Sequence, residues 1–134
     1  MNLLKRGGNY LLTLWHVLII SARLGSGPWL KLRMAVFFLW PHLRYSLCLS
    51  THQRVRPFCV RVLGQEVSLE LRNIYPDLGM LEEIYLKQAY HVAGLRQDPA
   101  NILDLGSNIG VSGIYFKLRY PGAEVHCFEP EPEN

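Results

Sequence analysis

NILDLGSNIGVSGIYFKLRYPGAEVHCFE, residues 101–129, decides how the rest of the chain is read. It opens on a short apolar run that meets an acid, Asp104, and then a glycine turn from Gly106 to Gly110. Residues 101–105 are too few for a helix and suit a buried parallel strand. Gly106 supplies a sharp turn with bare backbone, and Gly110 is expected to let the next helix start close to the sheet. Ile109, Gly113, Phe116 and Tyr120 then recur at helical spacing, as do Val111, Ile114 and Leu118, so a largely buried helix runs to about Tyr120. Pro121-Gly122 breaks it. A second strand, Val125 to Phe128, ends on Glu129. Strand, glycine turn, helix, strand and acid make the opening half of a nucleotide-binding α/β domain, with Glu129 in the crevice at the strand ends.

The residues of the turn restrict the ligand. A dinucleotide fingerprint needs a middle glycine to clear space for pyrophosphate, and Asn108 stands there instead. No Gly-Lys-Ser/Thr follows, which excludes a P-loop. A nucleoside without phosphate fits better, and S-adenosylmethionine is such a ligand. The Glu129 carboxylate would hold its ribose diol, and its methionine end would lie over Gly106 to Gly110.

Asp104-Leu105-Gly106-Ser107-Asn108-Ile109-Gly110, followed by Phe128-Glu129-Pro130-Glu131-Pro132-Glu133-Asn134, resembles the FkbM family of S-adenosylmethionine-dependent methyltransferases. The resemblance is clear over residues 101–134 and looser from about Phe58. It implies a doubly wound Rossmann-like sheet and methyl transfer to a hydroxyl on a sugar, glycolipid or natural-product acceptor. Asp104, Gly106, Ser107, Asn108 and Gly110 would bind the cofactor at the methionine-side loop, and Glu129 would clamp its ribose. No metal is implied, and no residue takes the role of general base. Two strands cannot complete such a sheet, so the chain reads as the N-terminal part of a longer, truncated protein, inactive by itself. The alternatives are an NAD-dependent oxidoreductase, in which Glu129 would also serve a ribose, and a non-catalytic membrane-attached nucleotide-fold fragment.

Charge divides the chain. Residues 1–61 hold nine Lys/Arg and no Asp or Glu, whereas residues 62–134 hold five Lys/Arg and all eleven acids; +9 and −6 give the net +3. An acid-free, aromatic-rich front half points to an anionic membrane surface, with nucleic acid weighed second and not expected. Cys48, Cys59 and Cys127 form neither a disulfide framework nor a metal spacing, which favours a reducing, cytoplasmic location, peripheral to a membrane. Cys127 is expected in the core.

Two regions follow: a basic, apolar helical region, 1–56, and the start of the methyltransferase domain, 57–134. Lys5-Arg6 precede an apolar run from Tyr10 to Ile20. This suits an amphipathic helix packed on the protein or lying at a membrane, with Asn9, Thr13 and His16 as its polar stripe; a cleavable targeting segment ranks second. Gly25-Ser26-Gly27-Pro28 breaks the chain before a second apolar segment, Trp29 to Trp40, which Pro41 should end. Residues 57–71 read as a hairpin. Phe58, Val60 and Val62 face one way, Gly64-Gln65 turns, and Val67, Leu69 and Leu71 return. Asp77 is expected to cap a helix running to about Ala93, stopped by Gly94, with Leu81, Ile84, Tyr85 and Val92 inward and Glu83 paired with Lys87 outside. Tyr85 and Tyr90 could approach a ligand, but core packing is the preferred role.

Overall fold

The computed structural model describes residues 3–47, 52–91, 94 and 98–131, with side chains from Leu11 onward except those of 42, 45 and 46. Expectations placed on Cys48, Val92, Ala93 and residues 132–134 lie outside the described residues. The order is α1 (Leu3–Leu24), α2 (Pro28–Ser46), β1 (Val55–Val62), β2 (Gln65–Arg72), α3 (Tyr75–Met80) continuing as a π-helical segment (Leu81–Leu86), β3 (Asn101–Leu105), α4 (Val111–Arg119) and β4 (Glu124–Phe128). This is a mixed α/β fold with two small sheets, antiparallel β1-β2 and parallel β3-β4.

The hairpin forms because its period of two puts Phe58, Val60, Val62, Leu69 and Leu71 on one buried face. Val62 pairs with Gln65, so the turn is centred on Leu63-Gly64, not Gly64-Gln65. Both turn residues have positive φ, 48° and 81°, which matches the strand twist. Leucine rarely adopts that conformation, so the sequence points one residue too far along.

Against this face lie α1, through Val17, Ile20 and Leu24, and α2, through Met34, Ala35 and Phe38. Each fully buried side chain of this kind contributes about 1.5–3 kcal/mol. The break at 25–27 is real, and Pro28 opens α2 where its missing N–H costs nothing. Pro41 does not end α2, which runs on to Ser46. One lost backbone hydrogen bond is tolerated near the end of a helix whose inner face is already packed. Of the polar stripe of α1, the described side chains are turned inward, and that of Asn9 lies outside the described residues. Thr13 and His16 are half-buried, and His16 approaches the Tyr75 hydroxyl (3.5 Å) and Glu82 (4.0 Å). Leu11, Leu12, Trp15 and Leu18 stay exposed. No helix among the described residues is long and apolar enough to cross a membrane.

The third helix differs from expectation at both ends. Ile74 occupies the cap position, and Asp77 lies in the first turn, fully buried, with its carboxylate turned back to Arg72. The π-helical segment ends at Leu86, well short of Ala93 and Gly94, and Lys87 pairs with Glu82 (3.0 Å) instead of Glu83. A π-turn rotates later side chains relative to an α-helix, so an i,i+4 pair shifts to i,i+5. Leu81, Ile84 and Tyr85 are buried as read from the sequence.

The core continues into α4 through Val111 and Tyr115. The Tyr85 hydroxyl donates to the Val111 carbonyl at 3.1 Å, while the Tyr115 hydroxyl is buried with no hydrogen-bond partner among the described residues. The two tyrosines should therefore respond oppositely to loss of their hydroxyls. Tyr85→Phe should cost about 0.5–1.5 kcal/mol by removing a buried hydrogen bond to a carbonyl that keeps its place in the α4 ladder, and Tyr115→Phe should be neutral or stabilising. Urea denaturation of both variants checks this; equal destabilisation would contradict it.

The parallel pair aligns Ile102 with Val125 and Asp104 with Cys127. The expectation of a buried strand at 101–105 holds on one side only. Asp104 is buried beneath α4, but Leu103, Leu105 and Phe128 are exposed, because α4 covers one face and nothing among the described residues covers the other.

Candidate functional site

The glycine turn links β3 to α4 through three left-handed residues: Gly106 (φ 84°), Asn108 (φ 50°) and Gly110 (φ 79°). A Cβ added at Gly106 or Gly110 would meet nothing within 4 Å, so backbone conformation, not crowding within the chain, calls for glycine there. Close helix–strand approach falls to Gly113, not Gly110: a Cβ at Gly113 would sit 2.5 Å from Cys127 Sγ. Gly113→Ala should destabilise by about 1–3 kcal/mol, and adding Cys127→Ala should recover most of that loss. Thermal or urea unfolding of the double variant is the check; no recovery would show that the sulfur is not the obstacle.

The turn is tied down from inside. The N–H groups of Gly106 and Ser107 donate to the Phe128 carbonyl at 2.8 and 3.1 Å, and that of Gly110 to the Ser107 carbonyl at 2.8 Å. The Asn108 N–H donates to Glu129 Oε2 at 2.7 Å, and Glu129 Oε1 accepts from the Glu131 N–H at 2.9 Å. Glu129 thus spans the crevice from the end of β4 to the middle of the turn. A carboxylate accepts up to about four hydrogen bonds, so these contacts are compatible with a ligand hydroxyl at the same group.

Asp104 and Ser107 are buried, each 6% exposed. The Asp104 carboxylate accepts from the Ser112 hydroxyl in the first turn of α4, and Cys127 Sγ lies 3.8 Å from it. Asp104 therefore fixes the start of α4 under the turn. Cys127 is an exposed residue rather than a core one: it stands on the α4 side of the sheet, beside Asp104 and Gly113, but at the open groove between α4 and β4. Shielding of its sulfur, and then the neighbouring Asp104 carboxylate, push its thiol above the ordinary range, which disfavours a nucleophilic role. Tyr85 is a core residue, and Tyr90 packs its ring on Phe116.

A second layer has no local signal in the sequence. Arg72, at the end of β2, donates from Nε (3.1 Å) and Nη2 (2.8 Å) to Asp77 Oδ1, and its backbone N–H donates to Asp77 Oδ2 at 2.8 Å. The Arg72 side chain is 13% exposed and that of Asp77 is 0%. Nη2 also donates to Asn108 Oδ1 at 3.1 Å, across 36 residues of sequence. The hairpin, α3, the turn and β4 are thereby joined in one line, Asp77–Arg72–Asn108–Glu129. Among the described residues, no group of three or more His, Cys, Asp or Glu is placed to hold a metal.

Three curated methyltransferases are similar to part of this chain. Methyltransferase sdnD of Sordaria araneosa is 41% identical over 51 residues, 38% of this chain and 19% of its own length. Methyltransferase 1 of Beauveria bassiana (strain ARSEF 2860) is 39% identical over 51 residues, 38% of this chain and 20% of its own. The 31-O-demethyl-FK506 methyltransferase FkbM of Streptomyces tacrolimicus is 35% identical over 54 residues, 40% and 21% respectively. No family profile and no solved structure matches the chain. About two fifths of the chain is thus similar to methyltransferases, one of them named FkbM, and the chain spans about a fifth of the length of these relatives.

Proposed function

We propose that the protein is an S-adenosylmethionine-dependent methyltransferase acting on a hydroxyl of a sugar, glycolipid or natural product. The observation that carries the reading is Glu129 at the end of β4, bonded across the crevice to the Asn108 N–H of the glycine turn. This is the position a ribose-binding acid takes beside a nucleotide-binding turn. The relatives support methyl transfer by their names, and one of those names specifies an oxygen acceptor. The β3–α4–β4 unit, with α4 on one face and Leu103, Leu105 and Phe128 bare on the other, suits the start of a doubly wound sheet that carries helices on both faces.

The residues present fit this cofactor better than a dinucleotide. A phosphate cradle aims backbone N–H groups outward at the anion. Here the N–H groups of Gly106, Ser107, Asn108 and Gly110 all donate within the protein. The turn therefore offers bare backbone at Gly106 and a carboxylate at Glu129, which suits an amino-acid moiety and a ribose without pyrophosphate. Gly106, Asn108 and Gly110 would line the methionine side, and Asp104 and Ser107 would hold that lining from beneath. Bound S-adenosylmethionine supplies a methyl activated by its sulfonium; the chain's share is to position it and exclude water.

Equilibrium dialysis of the protein against S-adenosylmethionine and against NAD tests the reading. Retention of the first and not the second is expected. Tight NAD binding with none to S-adenosylmethionine would replace the proposal with an oxidoreductase.

A further inference from the structure

All three tryptophans of the chain are exposed, and all three are on the two N-terminal helices: Trp15 at 63%, Trp29 at 74% and Trp40 at 44%. They belong to stripes. On α1, Leu11, Trp15 and Leu18 lie along one face, opposite the buried Val17, Ile20 and Leu24. On α2, exposed Trp29, Leu32, Val36, Trp40 and Leu43 recur at steps of three and four, opposite the buried Met34, Ala35 and Phe38. Both helices bury their inner faces in the core that covers β1 and β2, so both apolar stripes point away from it.

Charge is sorted in the same direction. Residues 1–61 contain no acid. Between α2 and β1, beside the α2 stripe, an open groove of about 360 Å³ is lined by Arg33, Arg54 and Arg56 together with Val36, Phe37 and Trp40. The nearest acids in sequence, Glu66 and Glu70, pair across the hairpin with Arg61 and Pro57. By strand alternation they stand on the face away from Phe58, Val60 and the helices. Apolar stripes flanked by tryptophan and edged by arginine match the boundary between headgroups and acyl chains of an anionic bilayer. Tryptophan near the start and two-thirds of the way along α2 and midway along α1, with arginines at the groove and no acid in residues 1–61, is the pattern of helices lying at an anionic lipid boundary, whereas a nucleic acid would leave the apolar stripes unexplained.

We infer that the outward face of α1 and α2, with the Arg33–Arg54–Arg56 groove at its edge, docks in the plane of an anionic lipid surface. Neither helix crosses it. The tryptophans and leucines enter the interfacial layer, and the groove receives lipid phosphate. This does not depend on the methyl-transfer reading.

The test needs no label, because every tryptophan lies on the proposed face. The intact chain is mixed with vesicles of phosphatidylcholine alone or with added phosphatidylserine, and sedimentation and tryptophan emission are followed. Co-sedimentation with the anionic vesicles, a blue shift, quenching by brominated acyl chains and weakening with salt are expected. Arg54→Gln with Arg56→Gln should reduce the partition coefficient on the order of thirtyfold, from about 1 kcal/mol per basic residue near such a surface. Leu18→Glu with Val36→Glu, both exposed sites that leave circular dichroism unchanged, should abolish the blue shift. Equal binding to neutral vesicles, or no binding to either, would overturn the proposal. So would tryptophan emission already blue and shielded from acrylamide without lipid, since a second copy or another part of the protein would then cover the face.

Discussion

Asp77→Ala should remove about 3–5 kcal/mol of stability, a large share of what a domain of this size possesses. The carboxylate is wholly buried and receives three donors from Arg72, whose guanidinium is nearly buried as well. Taking the acid away strands the cation in a site with little water. Arg72→Met should cost a similar amount by stranding the acid. The double variant Asp77→Leu with Arg72→Met should recover most of the loss, because neither charge then has to be desolvated. The same pair also holds Asn108 Oδ1, so both single variants should speed amide exchange at Asn108. Urea unfolding midpoints at constant slope, with exchange measured by NMR, give both readouts. A single-variant loss under about 0.5 kcal/mol would mean that the pair is screened like a surface ion pair.

The second half of the fold was legible because it is built from local periods. Alternation at 58–62 and 67–71 gives the hairpin, and the apolar runs at 101–105 and 125–128, with glycine between them and a helical repeat, give β3, α4 and β4. Glycine and proline at 25–28 likewise mark a true break. What escaped is non-local. In α1, apolar residues lie on nearly every side, so the sequence could not say that His16 faces Tyr75 and Glu82 while Trp15 faces outward. The π-helical segment moved the partner of Lys87 and the end of the helix by adding a residue to the turn, which no period announces. At the site, the residues of the glycine turn and Glu129 lie together, Glu129 being bonded to the Asn108 N–H. Arg72 was invisible, since its tie to Asn108 exists only once β2 lies beside the turn.

Glu129→Ala should weaken S-adenosylmethionine binding about tenfold to a thousandfold, because hydrogen bonds to a charged group are worth about 1.5–3 kcal/mol each. Two roles could produce such a loss. Glu129 holds the Asn108 N–H at 2.7 Å, so its removal loosens the turn, and by the proposal it also accepts from the ribose hydroxyls. An analogue lacking the 2′-hydroxyl separates them. If the carboxylate touches the ribose, the parent should lose affinity for the deoxy analogue, whereas Glu129→Ala should bind both ligands equally weakly, because the partner of that hydroxyl is already gone. If Glu129 only holds the turn, the penalty for the missing hydroxyl should be the same in both proteins. Glu129→Gln retains one acceptor oxygen and should fall between parent and alanine. Calorimetry on folded protein, checked by circular dichroism, measures all of these affinities. A Glu129→Ala affinity within twofold of the parent would remove both roles, and equal deoxy penalties would remove the ribose clamp while leaving the turn support in place.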